Sequence, residues 1–353
     1  MKLNHIGLEV ADSYKMELFY RKYFGFKTLY RYASINQKGL HTVILADRNL
    51  TLELLERPQN NTGIPAAKNT FHISLHTNDV IKEYTRLKNL GLDSIKAPRV
   101  TGDGFLESEA SDPEGNIIEI SKRVGPFPSY KIKAVIFDLD GTVIDSENNY
   151  FEGDRILMKS YGINLTREMK YKYIGMSSLD MMKDLQKIYN IKDSPETMLA
   201  RKENNYLKLA RKNTKVYPEM IKFIEMLKKA DFSLAIASSS SKENVNEIIK
   251  IIALDNYFSV ILSAESVENN KPAPDVFLEA ARRLKIEPVN CAVVEDSQFG
   301  VEAAKRAFMT CIAVPCSVPG QLSERFLTAD LIFKKGIKGF RAGKAFKWIR
   351  SKV

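Results

Sequence analysis

The stretch Ala134-Val135-Ile136-Phe137-Asp138-Leu139-Asp140-Gly141-Thr142 decides how the larger part of this 353-residue chain reads. Four consecutive apolar residues predict a strand, and two carboxylates one residue apart follow it. Residues two apart on a strand point to the same face, and a glycine directly after them lets the chain turn sharply. Both carboxylates therefore come to the open end of the strand, where parallel α/β sheets bind their ligands. An aspartate there can attack phosphorus and form an aspartyl-phosphate, which splits one hard displacement into two easier ones. The second aspartate can protonate the leaving oxygen and later activate water. Buried side by side, the pair resists double ionisation, which suits acid/base work. Taken alone, the run is also compatible with a strand that merely ends in an Asp-Gly turn.

From Lys131 onward, apolar strands at 132–137, 233–237, 260–262, 292–294 and 312–314 alternate with helical patterns, which predicts a parallel sheet wrapped by helices. Between Asp145 and Val216 only helical periodicity is seen, broken at Gly162 and Gly175. That segment reads as a helical cap inserted over the carboxylates.

Three further groups follow, each at or just past a predicted strand end. Ser238 and Ser239, after Ala235-Ile236-Ala237, offer hydroxyls and backbone amides to phosphate oxygens. Lys271, in Asn270-Lys271-Pro272-Ala273-Pro274-Asp275, offers a fixed positive charge beside the nucleophile and the transferring group. Glu295 and Asp296, after Val293-Val294, offer oxygen ligands of the kind Mg²⁺ takes. Singly these read as a helix cap, a solvated lysine and a surface turn. In order on successive strands they make a phosphoryl-transfer site.

That ordered set resembles the haloacid-dehalogenase-like hydrolase superfamily over residues 131–333. Asp138-Leu139-Asp140-Gly141-Thr142, Ser238, Lys271-Pro272-Ala273-Pro274-Asp275 and Glu295-Asp296-Ser297-Gln298-Phe299-Gly300 match its four motifs in turn. The cap just after the first motif resembles subfamily I with a helical cap. The resemblance implies Asp138 as nucleophile, Asp140 as acid/base, and Mg²⁺ held by Asp138, the Asp140 carbonyl and Asp296. An acidic Asp140 argues against dehalogenation, since a halide leaves without a proton whereas an alkoxide needs one. The beta-phosphoglucomutase branch shares the lysine and Glu-Asp-Ser patterns. It carries a histidine where this chain has Tyr150, and an arginine in the cap loop Gly175-Met176-Ser177-Ser178. The cap is therefore expected to lack the basic groups that gate a mutase and hold a second phosphate, which favours transfer to water.

The first 122 residues contain an internal repeat. Asn4-His5-Ile6-Gly7-Leu8 is echoed by Phe71-His72-Ile73-Ser74-Leu75 at an offset of 67, and Leu52-Glu53-Leu54 by Ile118-Glu119-Ile120 at 66. Gly25 and Gly91, also 66 apart, each close a predicted helix. Each copy reads as strand, helix and two or three further strands, with one histidine on its first strand and one glutamate on its last. His5, Glu53, His72 and Glu119 thus occupy matching places, and a pseudo-symmetric pairing of the copies would bring them together. Two imidazoles and two carboxylates suit a divalent transition metal.

This region resembles the glyoxalase/vicinal-oxygen-chelate superfamily of paired βαβββ modules, with Asp112-Pro113-Glu114-Gly115-Asn116 in the place of its final hairpin. The four residues fall where glyoxalase I places its metal ligands, which implies a Ni²⁺, Zn²⁺ or Co²⁺ centre acting as a Lewis acid, with Glu119 as the base. Glu9 stands where glyoxalase I has a basic residue for glutathione, which argues against that substrate. Related modules often build their site across a dimer, so a homodimer through this domain is one arrangement the resemblance allows, and the oligomeric state stays open.

The expected organisation is an α+β module at 1–122, a Gly/Pro-bearing linker at 123–130, an α/β hydrolase core at 131–144 and 216–333, a cap at 145–215, and a basic tail at 334–353. A hydrophobic content of 44% and a charged content of 27% are those of a soluble globular protein. No apolar run approaches membrane-span length, and the amino terminus lacks a signal-peptide core, which points to the cytoplasm. Cys291, Cys311 and Cys316 match no zinc or redox spacing and read as buried small residues. The net charge of +10 is not a nucleic-acid face, because residues 1–128 carry only 17 Lys+Arg against 15 Asp+Glu while residues 334–353 carry eight basic residues and no acidic one. Those last residues form either a basic amphipathic helix for a membrane surface or acidic partner, or a terminal helix docking its aromatics on the domain. The expected activity is Mg²⁺-dependent hydrolysis of a small phosphorylated metabolite such as a sugar phosphate, because a closing cap excludes polymers. Alternatives are a mutase, a metal-dependent lyase or isomerase centred on the first domain, and a first domain that senses a metabolite.

Overall fold

The computed structural model describes residues 2–10, 12–24, 26–35, 37–46, 51–57, 71–111, 117–125, 130–173, 178–315 and 322–352. Gly25, the 112–116 loop, most of the linker, Gly175-Met176-Ser177 and Cys316 lie outside them, as do the side chains of Glu9 and His72. The chain divides into two compact units, Met1–Lys131 and Ile132–Val353.

The first unit holds β1 (Lys2–Val10), α1 (Ser13–Phe24), β2 (Lys27–Ala33), β3 (His41–Ala46), β4 (Thr51–Glu56), β5 (Phe71–His76), α2 (Val80–Asn89), β6 (Arg99–Val100), β7 (Phe105–Ser111) and β8 (Ile117–Arg123). Its eight strands form one sheet in the order β2-β3-β4-β1-β5-β8-β7-β6. The two halves of that order are two βαβββ modules. In each the first strand lies parallel to the last, β1 beside β4 and β5 beside β8, and the modules join through antiparallel β1 and β5. Arg123, the first residue of the expected linker, ends β8; its guanidinium donates to the Asp103 and Gly125 carbonyls and lies over the Phe105 ring.

The second unit is built on a six-stranded, all-parallel sheet. Its strands are β9 (Ala134–Phe137), β12 (Ser233–Ala237), β13 (Val260–Leu262), β14 (Cys291–Glu295), β15 (Thr310–Ala313) and β16 (Leu331–Ile332), in the order β13-β12-β9-β14-β15-β16. A short antiparallel pair, β10 (Ile144–Asp145) and β11 (Lys215–Val216), forms the two-chain stem of the cap. The cap helices are α3 (Glu147–Ser160), α4 (Arg167–Tyr171), α5 (Ser178–Tyr189) and α6 (Pro195–Asn213), and the core helices α7 (Pro218–Lys229), α8 (Lys242–Ile251), α9 (Asp275–Leu284), α10 (Gln298–Arg306), α11 (Gly336–Gly339) and α12 (Ala342–Arg350).

Alternation along the strands sorts the core into two layers. Val135, Phe137, Leu234, Ile236, Val294 and Ile312 pack with apolar residues of α7, α8 and α12, whereas Ala134, Ile136, Ala235, Val293 and Ala313 pack with those of α9 and α10. The cap has its own core of Leu157, Met158, Met181, Met182, Leu185 and Met198. The basic tail docks: Phe340, Ala342, Ala345 and Ile349 are buried in the sheet's helical layer, Phe346 and Trp348 pack against it, and the Ala342 amide donates to Glu219 Oε2 at 2.8 Å. The main chain of Lys352 also accepts from the Ile132 amide at 2.9 Å, so the end of the chain is tied to the start of the unit. Among the described residues no helix is long and apolar enough to cross a membrane. Cys291 and Cys311 are buried and form no disulfide.

Candidate active site

β9 is the centre of its sheet, flanked by β12 and β14, so residues at its carboxyl end are walled on both sides. Asp138 leaves β9 with its amide still bonded to the Val294 carbonyl at 3.0 Å and is 6% exposed. Gly141 then takes a left-handed φ of 78°. A Cβ there would overlap Asp296 Oδ2, so only glycine allows the Asp296 carboxylate to approach the first motif. Gly300 does the same for Glu295, whose carboxylate lies where its Cβ would stand.

Lys271, carried by the loop between β13 and α9, is buried among these acids. Its ammonium donates to Asp138 Oδ1 at 2.6 Å, to Glu295 Oε1 at 2.7 Å and to the Ala237 carbonyl at 3.0 Å, which uses all three of its protons. The other oxygen of Glu295 accepts from the Ser297 amide and hydroxyl at 2.8 and 3.0 Å, while Ser297 also caps α10 through the Gly300 amide. Both Glu295 oxygens are thus committed to protein donors. Asp296 meets Thr142 Oγ1 at 3.4 Å. Ser238 is 1% exposed, and its hydroxyl accepts from the Ser240 amide at 3.1 Å. Ser240 Oγ donates to Asp140 Oδ2 at 2.7 Å.

Asp138 and Glu295 bond one ammonium, and the charges of Asp140 and Asp296 bear on the same buried cluster. Burial pushes Asp138 up to about 8, with Glu295 and Asp140 adding to the rise and Lys271 opposing it. Burial and the charges of Glu295 and Asp138 hold Asp296 well above the carboxylate range. Burial opposes the charge on Lys271, but Asp138 and Glu295 outweigh it and raise the ammonium further. An excess of buried negative charge on hard oxygen donors is the setting a divalent cation such as Mg²⁺ relieves.

Around Tyr150 and Ser178 the cap sets two residues the sequence did not single out, Tyr206 and Lys202. Tyr150 of α3 and Tyr206 of α6 stack with ring centroids 4.0 Å apart and 9° between planes. Lys202 of α6, 3% exposed, donates to Ser178 Oγ at 2.9 Å and lies 3.4 Å from Asp154, which Lys170 also engages. Burial pulls Lys202 below the usual lysine range against the pull of Asp154. Ser178 itself carries no charge, but helix packing sets the buried Lys202 ammonium, paired with Asp154, beside it. Lys202 shows in the sequence only as one lysine among many on a long charged helix.

In the first unit, register sets two rows of residues across one face of the sheet. His5 stands opposite Ser74, Ser74 opposite Glu119, and Glu119 opposite Glu109, while Glu53, Gly7, His72 and Ile117 form the adjacent row. His5 Nε2 lies 3.1 Å from Glu53 Oε2 and 3.7 Å from Glu119 Oε2. Three of the four expected residues therefore converge, and the fourth is in register with them. His5, Glu53 and Glu119 line a polar cavity of about 280 Å³ that also takes in Tyr32, Arg99, Asp103, Glu107 and Glu109. Tyr32 donates to Glu53 Oε1 at 3.1 Å. Arg99 bridges Glu107 and Glu109 at 2.8 and 2.6 Å, and the carboxylates of Glu107, Glu109 and Glu119 lie within 4.8 Å of one another. Burial and the charge of Glu119 push Glu107 up to about 9 against Arg99. The sequence reading missed Glu107 and Glu109, although two glutamates two apart on a strand share a face. An imidazole nitrogen with two carboxylates is a donor set for a divalent metal.

The model of the haloacid dehalogenase-like hydrolase family matches residues 135–314, about half of the chain. The chain belongs to that family. The model of the glyoxalase/bleomycin resistance protein/dioxygenase superfamily matches residues 2–120, so this haloacid dehalogenase-like protein carries a glyoxalase-superfamily domain ahead of its hydrolase domain. The hydrolase part is 33% identical over 176 residues to the phosphorylated carbohydrates phosphatase of Thermotoga maritima, covering 50% of this chain and 82% of that one. It is 29% identical over 212 residues to the beta-phosphoglucomutase of Bacillus subtilis, covering 58% of this chain and 90% of that one. The crystal structure of the beta-phosphoglucomutase of Clostridium difficile superposes with a TM-score of 0.52 at 24% identity over 63% of this chain and 96% of that chain, which shows a shared fold.

Proposed function

We propose that the second unit is a Mg²⁺-dependent phosphatase that acts on a small phosphorylated metabolite, with sugar phosphates as the leading class, through an aspartyl-phosphate. The observation that carries this reading is the Lys271 ammonium bonded to both Asp138 and Glu295 at the carboxyl end of the central strand. Asp138 attacks phosphorus as the ester P–O bond breaks, and Asp140 gives its proton to the departing oxygen. Water, losing a proton to Asp140, then attacks the aspartyl-phosphate and releases inorganic phosphate. Lys271 lowers the energy of the charge that gathers on the transferring group and holds the nucleophile in place. Glu295, with both oxygens engaged, sets Lys271. Mg²⁺, held by Asp138, Asp296 and the Asp140 main-chain oxygen, would supply charge neutralisation to the phosphate. The phosphatase named among the relatives supports hydrolysis of phosphorylated carbohydrates.

Asp138→Asn is expected to lower phosphate release from a sugar phosphate by about 10⁴-fold or more with Mg²⁺ present. Activity within a factor of about ten of the wild type would rule out Asp138 as the nucleophile.

One observation favours transfer to a sugar hydroxyl as a second reading, namely the buried Lys202 ammonium beside Ser178 in the cap. Feeding a hexose 1-phosphate separates the two, since free phosphate is the product of hydrolysis and an isomeric hexose phosphate that of the mutase. For the first unit we infer a divalent metal centre of His5, Glu53 and Glu119 with His72, of the Ni²⁺, Zn²⁺ or Co²⁺ class.

A further inference from the structure

We propose that Ser240, Tyr150 and Tyr206 are positioning residues for the acid/base carboxylate of Asp140, with a Tyr150–Ser240 relay anchoring one oxygen and leaving the other to carry the proton. This rests on the reading of Asp140 as the acid/base group.

Ser240 Oγ donates to Asp140 Oδ2 at 2.7 Å and lies 2.7 Å from the Tyr150 hydroxyl. A serine has one hydroxyl proton, and a carboxylate can only accept it. The proton of the second bond therefore comes from Tyr150, and the chain of donation runs from Tyr150 through Ser240 to Asp140 Oδ2. The Tyr206 hydroxyl approaches the other oxygen, Oδ1, at 3.4 Å. Oδ2 takes the short, relayed Ser240 bond and a longer one from Ser238 Oγ at 3.5 Å, whereas the Tyr206 bond to Oδ1 is long, and bond strength falls steeply with distance. The bond to Oδ1 yields before the short one to Oδ2, so Oδ1 is the oxygen that takes and gives the proton while Oδ2 stays held.

The packing explains why both hydroxyls arrive together. Tyr150 is one helical turn before Gly153 on α3, and a Cβ at Gly153 would come within 3.3 Å of the Tyr206 amide nitrogen. The glycine lets α3 and α6 approach closely enough for the two rings to stack. Stacked rings restrict each other, so each hydroxyl is delivered to a defined place. Burial keeps both phenols protonated, so they remain neutral donors. Both tyrosines belong to the cap and Ser240 to the core, so the anchoring is complete only with the cap helices seated over Asp140.

The consequence is a dependence on the leaving group. An alkyl alcohol needs a proton as it departs, whereas p-nitrophenolate leaves without one. The kcat/KM reports steps up to aspartyl-phosphate formation, so the ratio of kcat/KM for a sugar or alkyl phosphate to that for p-nitrophenyl phosphate isolates acid catalysis. Asp140→Asn serves as the reference and is expected to collapse this ratio. Ser240→Ala and Tyr150→Phe are expected to lower kcat/KM for the alkyl ester by about 10- to 100-fold and for p-nitrophenyl phosphate by less than about threefold. Ser240→Thr, which keeps the hydroxyl, should restore the ratio, and Tyr206→Phe should move it least. Equal losses on both esters in Ser240→Ala, no rescue by Ser240→Thr, or a larger effect from Tyr206→Phe than from Ser240→Ala would overturn the inference while Asp140→Asn still collapses the ratio. A ratio unchanged in Asp140→Asn would instead remove the acid/base reading, and the positioning role with it.

Discussion

The two polar sites of this chain are assembled in opposite ways. In the hydrolase unit, Asp138, Ser238, Lys271 and Glu295 come from strand ends and the loops that follow them, far apart in the chain, and a single ammonium with every proton engaged holds Asp138 and Glu295 together. In the glyoxalase-superfamily unit, His5, Glu53 and Glu119 project from the faces of strands, and strand register alone sets their spacing. The first kind of site depends on one buried counter-charge, the second on the continuity of a sheet. Removing a charge should therefore damage the two unequally.

The largest effect is expected at Lys271. Lys271→Met should lower phosphate release by about 10³-fold, and the acids left without their partner should cost about 3–5 kcal/mol in a denaturant titration. Wild-type stability in this variant would show that the ammonium is not what holds the acids together.

At the other site, His5→Ala should weaken binding of Ni²⁺ or Zn²⁺ by about 100-fold in titration calorimetry, while phosphate release with Mg²⁺ changes by less than about twofold. A matching loss of phosphatase activity would break the independence of the two sites.

The smallest effect is in the pH dependence of stability. Asp138 is raised to about 8 in the folded protein, above its ordinary value, so between these values the folded state binds more protons than the unfolded one. Stability of the metal-free protein should then fall as pH rises from about 4 to 8, by at least the 1.4 kcal/mol that one pK unit is worth. Mg²⁺ should stabilise more at pH 8 than at pH 5, because it takes up the ionised carboxylates. Thermal melts across that range, with and without Mg²⁺, check the sign, and stability rising with pH would contradict it. The glyoxalase-superfamily site carries a parallel case in Glu107, raised to about 9 by burial with Arg99 opposing the rise as Lys271 does at Asp138.

The hydrolase sheet was legible because each strand carries its own apolar run and each chemical group follows directly after one. A sequence that lists strand, then charge, already lists the rim of a parallel sheet. The repeat in the first 122 residues was legible for a different reason: matching offsets mean matching places in matching modules. The rows His5, Ser74, Glu119, Glu109 and Glu53, Gly7, His72, Ile117 follow from the pairing of β1 with both β4 and β5, which pattern alone leaves open. Glu107 and Glu109 were overlooked because β7 has no histidine to draw attention to it. The basic tail was read in two ways, since Phe340, Phe346 and Trp348 at helical spacing suit a membrane surface as well as a core. Docking of Phe340 and Ile349 under the sheet's helical layer decides between them.

What the sequence determined by itself is the order of the parts: two βαβββ modules, then a parallel-sheet core with a cap inserted after Asp138 and Asp140. Order is enough there, because local apolar pattern and glycine placement dictate each element before any long-range contact forms. Only the tertiary structure decided the partners of Asp140 and Lys271, and the place of Lys202 beside Ser178. Those contacts join residues more than twenty positions apart through side-chain packing, where direction and distance rather than residue type settle which groups meet.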